Sequence, residues 1–281
     1  MLHGESPTPA PGRRALTLLV ASVIIAVLVA IASLLGLLTE WPYRLETENW
    51  RLQAKGQDIG NLAAVVVLVA SAVRMRAGSS RAAELWLGTL LYLLYAYVVY
   101  AFAVHLGRLF LVYVAVLGLV FYTVLAAWPA LQPGRAARGG ARAFAGWTLV
   151  GIGCLFALLW LSELIPAAVT GRVPASLELA GLVVNPVHVI DLAVVLPGMI
   201  AIGVLTLRGH GSGSMLTVPA LWFSVLMGSS IVAAMLLILA SGDASALVAM
   251  VMVLVVVALS LTAMLTFARS QSRSARERAT T

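Results

Sequence analysis

Charge is what this chain has least of. Only 10% of its 281 residues are Asp, Glu, Lys or Arg, against 62% hydrophobic. Soluble domains carry about 25% charged residues, so composition alone excludes a water-soluble globular fold. Lysine occurs once, at Lys55, beside 17 arginines. Cysteine also occurs once, at Cys154, which excludes an intrachain disulfide and CxxC chemistry and is silent on the redox compartment. Signature motifs are missing too. There is no HExxH, GxSxG or DxxxD, and no GxGxxG or P-loop that would bind a nucleotide or flavin. The glycine-rich stretch "GHGSGS" at 209–214 lies between apolar blocks with no lysine after it and reads as a turn. Of four histidines, His3 falls in the N-terminal tail and His210 in a loop, leaving His105 and His188 for any chemistry.

What the chain does have is long apolar blocks, at about 15–38, 59–75, 83–104, 109–130, 143–165, 187–207, 216–240 and 245–268. Each is long enough to cross about 30 Å of hydrocarbon at 1.5 Å per residue. The fold class is therefore all-α, a polytopic membrane protein of eight transmembrane helices. With the N-terminus cytoplasmic, 13 of the 18 basic residues fall on the cytoplasmic side. The positive-inside rule places the chain in a plasma membrane with both termini cytoplasmic. The formal charge of +7 then matches anionic lipid at the inner face. It does not indicate nucleic acid, because no basic stretch is interleaved with exposed aromatics. The first block is too long for a signal peptide and lacks a cleavage pattern, so it reads as a retained span.

The order of motifs suggests a unit used twice. "LLTEWP" closes the first block and "LSELIP" the fifth; "DIGNLAAVV" opens the second and "HVIDLAVVL" the sixth; "ELWLG" in the third answers "ALWFS" in the seventh. Four spans per half give a parallel tandem repeat. The divisions are a tail at 1–14, a first half at 15–130, a linker at 131–142, a second half at 143–268, and a basic tail at 269–281. Both tails read as mobile.

The duplication pairs the polar residues. Asp58 with Asn61, and His188 with Asp191, are i,i+3 pairs that each share one helix face. Asn185 and Pro186 read as an N-cap and first-turn proline. Asp191 lies 17 residues before Arg208 and Asp58 lies 16 before Arg74. Helical rise then puts both acids about 24–25 Å from the cytoplasmic boundary. Ionisable groups at such depth cost about 2.5–3.5 kcal/mol at a span centre and are kept where they face the bundle interior. The expectation is one outward-open vestibule ringed by Glu40, Asp58, Asn61, Glu163, His188 and Asp191, with Tyr97 and Tyr100, and His105 able to join. Plainer roles compete: Asp58 as the cap of its helix, His188 as a core imidazole bonded to a carbonyl, Trp41 and Arg108 as interface anchors. Pro197 and Gly198 interrupt the sixth span near mid-membrane, as helices that line substrate sites often do.

Two functions fit. One is transport or binding of a small molecule or ion at this vestibule. The other is an intramembrane enzyme acting on a lipid-like substrate at the outer leaflet, with His188, Asp191 and Glu163 as acid–base groups or ligands of a divalent metal. Membrane lipids are the certain partners, and a further subunit or oligomer is compatible with everything above.

Overall fold

The computed structural model describes residues 11–128 and 137–279. All regular structure among the described residues is helical, and eight of the helices are long and apolar enough to cross a membrane. The spans are α1 (Pro11–Leu38), α2 (Glu48–Arg76), α3 (Ser80–Ala103), α4 (Phe110–Ala127), α5 (Gly139–Thr170), the joined pair α7 (Pro186–Ile190) and α8 (Leu196–Leu207), α9 (Gly211–Ala240) and α10 (Ala246–Ala279). A short helix, α6 (Ala175–Ala180), lies in the loop after α5. Both described ends of the chain lie at one end of the bundle, called here the terminal end; the other is the distal end.

Backbone groups in hydrocarbon have no water to bond, so each span closes its own ladder and turns apolar side chains to lipid. Val66 is 69% exposed, Leu111 75% and Val248 78% for this reason. Inside, contact is made by small residues, as expected where lipid removes the hydrophobic drive for helix association. Gly56 and Gly60 of α2 stand one turn apart against Ala234 and Ser230 of α9, and a Cβ on Gly56 would overlap the Ala234 backbone. Gly146 of α5 and Gly203 of α8 face each other in the same way. Interhelical hydrogen bonds add to this: Trp86 Nε1 donates to Ser22 Oγ at 2.8 Å and Trp222 Nε1 to Thr89 Oγ1 at 2.9 Å.

The helices form two cores. One gathers α1 to α4 with Leu226 of α9; the other gathers α5, α8, α9 and α10, and Trp222 packs against both. In the first half α1 touches α2 and α4, α2 touches α3, and α3 touches α4. In the second half α5 touches α8 and α10, α8 touches α9, and α9 touches α10. Between halves, α2 packs on α9 and α3 on both α7 and α9.

Several boundaries differ from the apolar blocks. The second span begins eleven residues before its block, because Glu48–Asp58 is helical although polar. Thr47 caps it, accepting from Trp50 N–H at 3.3 Å. Asp58 is thus three turns into α2 and caps nothing. The fifth span runs through Pro166 to Thr170 and does not stop at the proline. The last helix continues to Ala279, so the basic segment expected to be a mobile tail is helical over most of its length. The N-terminal tail lies outside the described residues up to residue 10, as do 129–136 of the expected linker region. Asn185 does cap the sixth span, accepting from Val187 N–H at 3.0 Å, with Pro186 in the first turn.

Candidate functional site

Between α7 and α8 the sixth span widens into a π turn over Asp191–Val195. Pro197 follows at once. It lacks an N–H, and its ring would crowd the carbonyl four residues back in a regular helix. The wider turn relieves that crowding, and Leu196 N–H bonds to Asp191 O instead. Single π turns recur at functional sites, and this one sets the direction of Asp191.

Asp191 faces a cavity of about 550 Å³ enclosed by α2, α3, α5, α7, α8, α9 and α10. That volume falls within the range of small-molecule sites, about 300–1,000 Å³. The rim carries Asn49, Asn185, Asp243 and Ser245, all at the distal end. The floor, near mid-bundle, carries Ile152, Met199, Ser224 and Val256. Below it the second core closes with fully buried Leu149, Leu221 and Phe267. The cavity is therefore one-sided.

Glu163, His188 and Asp191 lie on one wall. Trp160 Nε1 donates to Asp191 Oδ2 at 2.8 Å. The Trp160 ring also tilts over His188, with centroids 4.7 Å apart. His188 is 6% exposed and has no hydrogen-bond partner among the described residues, its ring lining the cavity. Glu163 lines the same wall and accepts the Ser176 hydroxyl at 2.5 Å. At the rim, Asp243 accepts Ser245 N–H at 2.9 Å, and bonds from the Ser245 side chain and backbone hold its carboxyl below the ordinary range. Three carboxylates thus face the space, and no Lys or Arg is among the described residues that line it.

The opposite wall was not foreseen. Asn49, Gln53 and Gln57 line it from the first turns of α2. With Asn61 they form an i,i+4 ladder of amides, in which Gln53 Nε2 donates to Asn49 Oδ1 at 2.6 Å and Gln57 Nε2 to Asn61 Oδ1 at 3.4 Å. The signal was present in the spacing, but it falls outside an apolar block and so reads as loop. Tyr95 and Trp160 were also missed, since aromatic residues within a span read first as packing.

The expected single ring is divided. Glu163, His188, Asp191 and Tyr100 share the cavity. Asn61 stands behind Gln57, fully buried. Asp58 is in a separate tyrosine cage in the first half: Tyr43 OH donates to its Oδ2 at 2.6 Å and Tyr100 OH to its Oδ1 at 2.8 Å. Tyr97 packs in that cage against Tyr100 and Tyr113, with centroids at 5.4 and 6.1 Å, and does not line the cavity. The phenol of Tyr100 is the shared partition. Gly36 makes the cage possible, because a Cβ there would overlap the Asp58 carboxylate and the Tyr43 hydroxyl.

Glu40 is no part of either centre. Its side chain is 74% exposed and pairs on the surface with Lys55 at 3.2 Å and Arg51 at 3.8 Å. His105 bonds Glu46 at 3.0 Å in the distal loops. Arg108 lies over the Trp41 ring, 5.6 Å from its centroid, in keeping with an interface anchor. Among the described residues no three His, Cys, Asp or Glu side chains converge to hold a metal. His188, Asp191 and Glu163 share a wall of the cavity. No family model, no curated protein and no solved structure matches the chain.

Proposed function

We propose that this chain is a plasma-membrane protein with cytoplasmic termini whose cavity opens to the exterior and binds a small molecule bearing a basic group on an apolar body, for transport. The single observation that carries this reading is the wall of His188, Asp191 and Glu163 in a cavity that no described Lys or Arg lines. An ammonium or similar head can meet carboxylate oxygens and the Trp160 face, both of which favour cations. The apolar remainder can rest against Phe156, Met199, Phe223 and Val256. The unpartnered His188 ring supplies one more directional bond. Arginine concentrated near the terminal end supports the orientation, and the distal rim then faces outward. A floor packed shut beneath the cavity matches an outward-open state that must reclose and open inward. The matching neighbour patterns of the two halves, with the three sequence matches, support descent by duplication, as in other carriers with a midplane site between repeats.

The test is calorimetric binding of arylalkylammonium ions and of their matching alcohols to the full chain in micelles. Losing a charged hydrogen bond costs about 1.5–3 kcal/mol, so the alcohols and the Glu163→Gln variant should bind roughly 10- to 100-fold more weakly than the cations and the native chain. Equal binding of alcohol and cation, or an unchanged affinity in both Glu163→Gln and Asp191→Asn, would overturn the reading.

A further inference from the structure

The tyrosine cage around Asp58 is not needed by the ligand cavity, yet it is the most polar point of the first half. Asp58 is 1% exposed and no Lys, Arg or His side chain bonds it. The nearest cation, Lys55, is one turn away and is held by Glu40 at the surface. Around the carboxylate, which α2 supplies, stand hydroxyls from the other three helices and a loop: Ser33 of α1, Tyr43 of the loop after it, Tyr100 of α3 and Tyr113 of α4. Packing levels the groups. Gly36 abuts Asp58, and since α1 and α2 run antiparallel, Ser33 and Asn61 each lie one turn further towards the terminal end, opposite one another.

Three of these groups are orphans. Ser33 Oγ, Tyr113 OH and Asn61 Nδ2 are buried and complete no hydrogen bond of ordinary geometry, although Ser33 stands close enough to Asp58, and Tyr113 to Tyr43, to interact. Each such atom costs about 1–3 kcal/mol if nothing meets it. Native interiors leave few of them, and a bound water or ion is the usual explanation when several gather. The unbonded atom of Asn61 is an N–H donor, and its oxygen accepts from Gln57 at 3.4 Å, so Asn61 supplies no ligand oxygen.

We propose that this cage is a binding site for one alkali cation, held by the Asp58 carboxylate and the oxygens of Ser33, Tyr43, Tyr100 and Tyr113. Hard cations take oxygen ligands, and the Asp58 carboxylate with the Tyr43 and Tyr100 hydroxyls at 2.6 and 2.8 Å already brings three such groups together here. One carboxylate balances one monovalent charge; a divalent ion would leave an uncompensated charge in hydrocarbon. The site is closed to the ligand cavity except through the Tyr100 phenol, whose hydroxyl meets Asp58 and whose ring forms cavity wall.

The experiment is saturable binding of ²²Na⁺ to the full chain in nanodiscs, with displacement by Li⁺, K⁺ and choline. One Na⁺ per chain, displaced by an alkali ion and not by choline, is the expected result. Asp58→Asn should abolish it. Because that variant removes a buried group that two tyrosines hold, Ser33→Ala and Tyr113→Phe are the gentler arms. Each deletes an orphan hydroxyl and should weaken Na⁺ about fivefold, the equivalent of one neutral ligand bond. Arg172→Ala, in a distal loop, should leave binding unchanged. No saturable alkali binding, binding that survives Asp58→Asn, or Ser33→Ala and Tyr113→Phe variants that bind Na⁺ as the native chain does, would each overturn the proposal. Since none of these readouts involves the organic ligand, their failure leaves the cavity reading standing, and the reverse.

Discussion

Replacing either tyrosine that bonds Asp58 by phenylalanine keeps the ring and removes one hydroxyl, so the perturbation is confined to a hydrogen bond. The Tyr43 bond spans 2.6 Å and the Tyr100 bond 2.8 Å, both to a carboxylate 1% exposed. Bonds to a charged acceptor contribute about 1.5–3 kcal/mol, whereas neutral pairs contribute about 0.5–1.5 kcal/mol. Tyr43→Phe and Tyr100→Phe should therefore each cost about 1.5–3 kcal/mol in the native chain. In an Asp58→Asn background the same substitutions remove only a neutral bond, and the cost should fall by about 1 kcal/mol or more. That difference is the coupling energy of a double-mutant cycle, and it exceeds the roughly 0.3–0.5 kcal/mol scatter of independent sites. Tyr100 OH also reaches Ala54 O at 3.1 Å, so more of its cost than of Tyr43's should survive in the Asn background. The assay is equilibrium unfolding in mixed micelles followed by tryptophan fluorescence. Costs that are the same in both backgrounds for both tyrosines would refute the cage.

Other substitutions test the remaining joints. Gly56→Val places a branched side chain into the Ala234 backbone and should cost at least about 1–3 kcal/mol as α2 and α9 are forced apart; Gly107→Ala, whose Cβ would meet only His105 O at 3.6 Å, should be neutral in the same unfolding assay. Trp160→Phe keeps an aromatic ring near His188 but strips the donor from Asp191 Oδ2; it should lower stability by about 1.5–3 kcal/mol and weaken arylalkylammonium binding, and an unchanged affinity would remove Trp160 from the site. Cys154 is the lone thiol and is exposed, so a Cys154→Ser chain is a clean background for topology: cysteines replacing Arg172 or Asp243 should react with an impermeant maleimide on intact cells, and those replacing Gly78 or Gly209 should not. The opposite pattern would invert the orientation and make the cavity face the cytoplasm.

Local sequence was enough for whatever depends on the one-dimensional distribution of apolarity. Eight blocks of bilayer length impose eight helices, because hydrocarbon tolerates no unpaired backbone. Asn185 before Pro186 announces a helix start, because a side-chain acceptor and a missing N–H suit the first turn. The same reasoning failed for Glu48–Asp58. Asn49, Gln53 and Gln57 of this stretch line the cavity, and a hydropathy window cannot tell a polar helix face from a loop.

Distance along each helix from Arg74 and Arg208 was likewise readable by counting residues, and so was the i,i+3 spacing of Asp58 with Asn61 and of His188 with Asp191. Partnership was not. Two acids at equal depth could share one hollow or stand in two, and the choice rests on which face each helix turns to its neighbours. Gly36 lets α1 and the Tyr43 turn close over Asp58. Gly56 and Gly60 draw α2 onto α9, so that Gln57 and not Asp58 lines the cavity. The π turn before Pro197 sets where Asp191 points. Side-chain type and spacing determine what a residue can do, but rotation about eight helix axes determines whom it meets, and that rotation is settled by contacts between residues far apart in the chain.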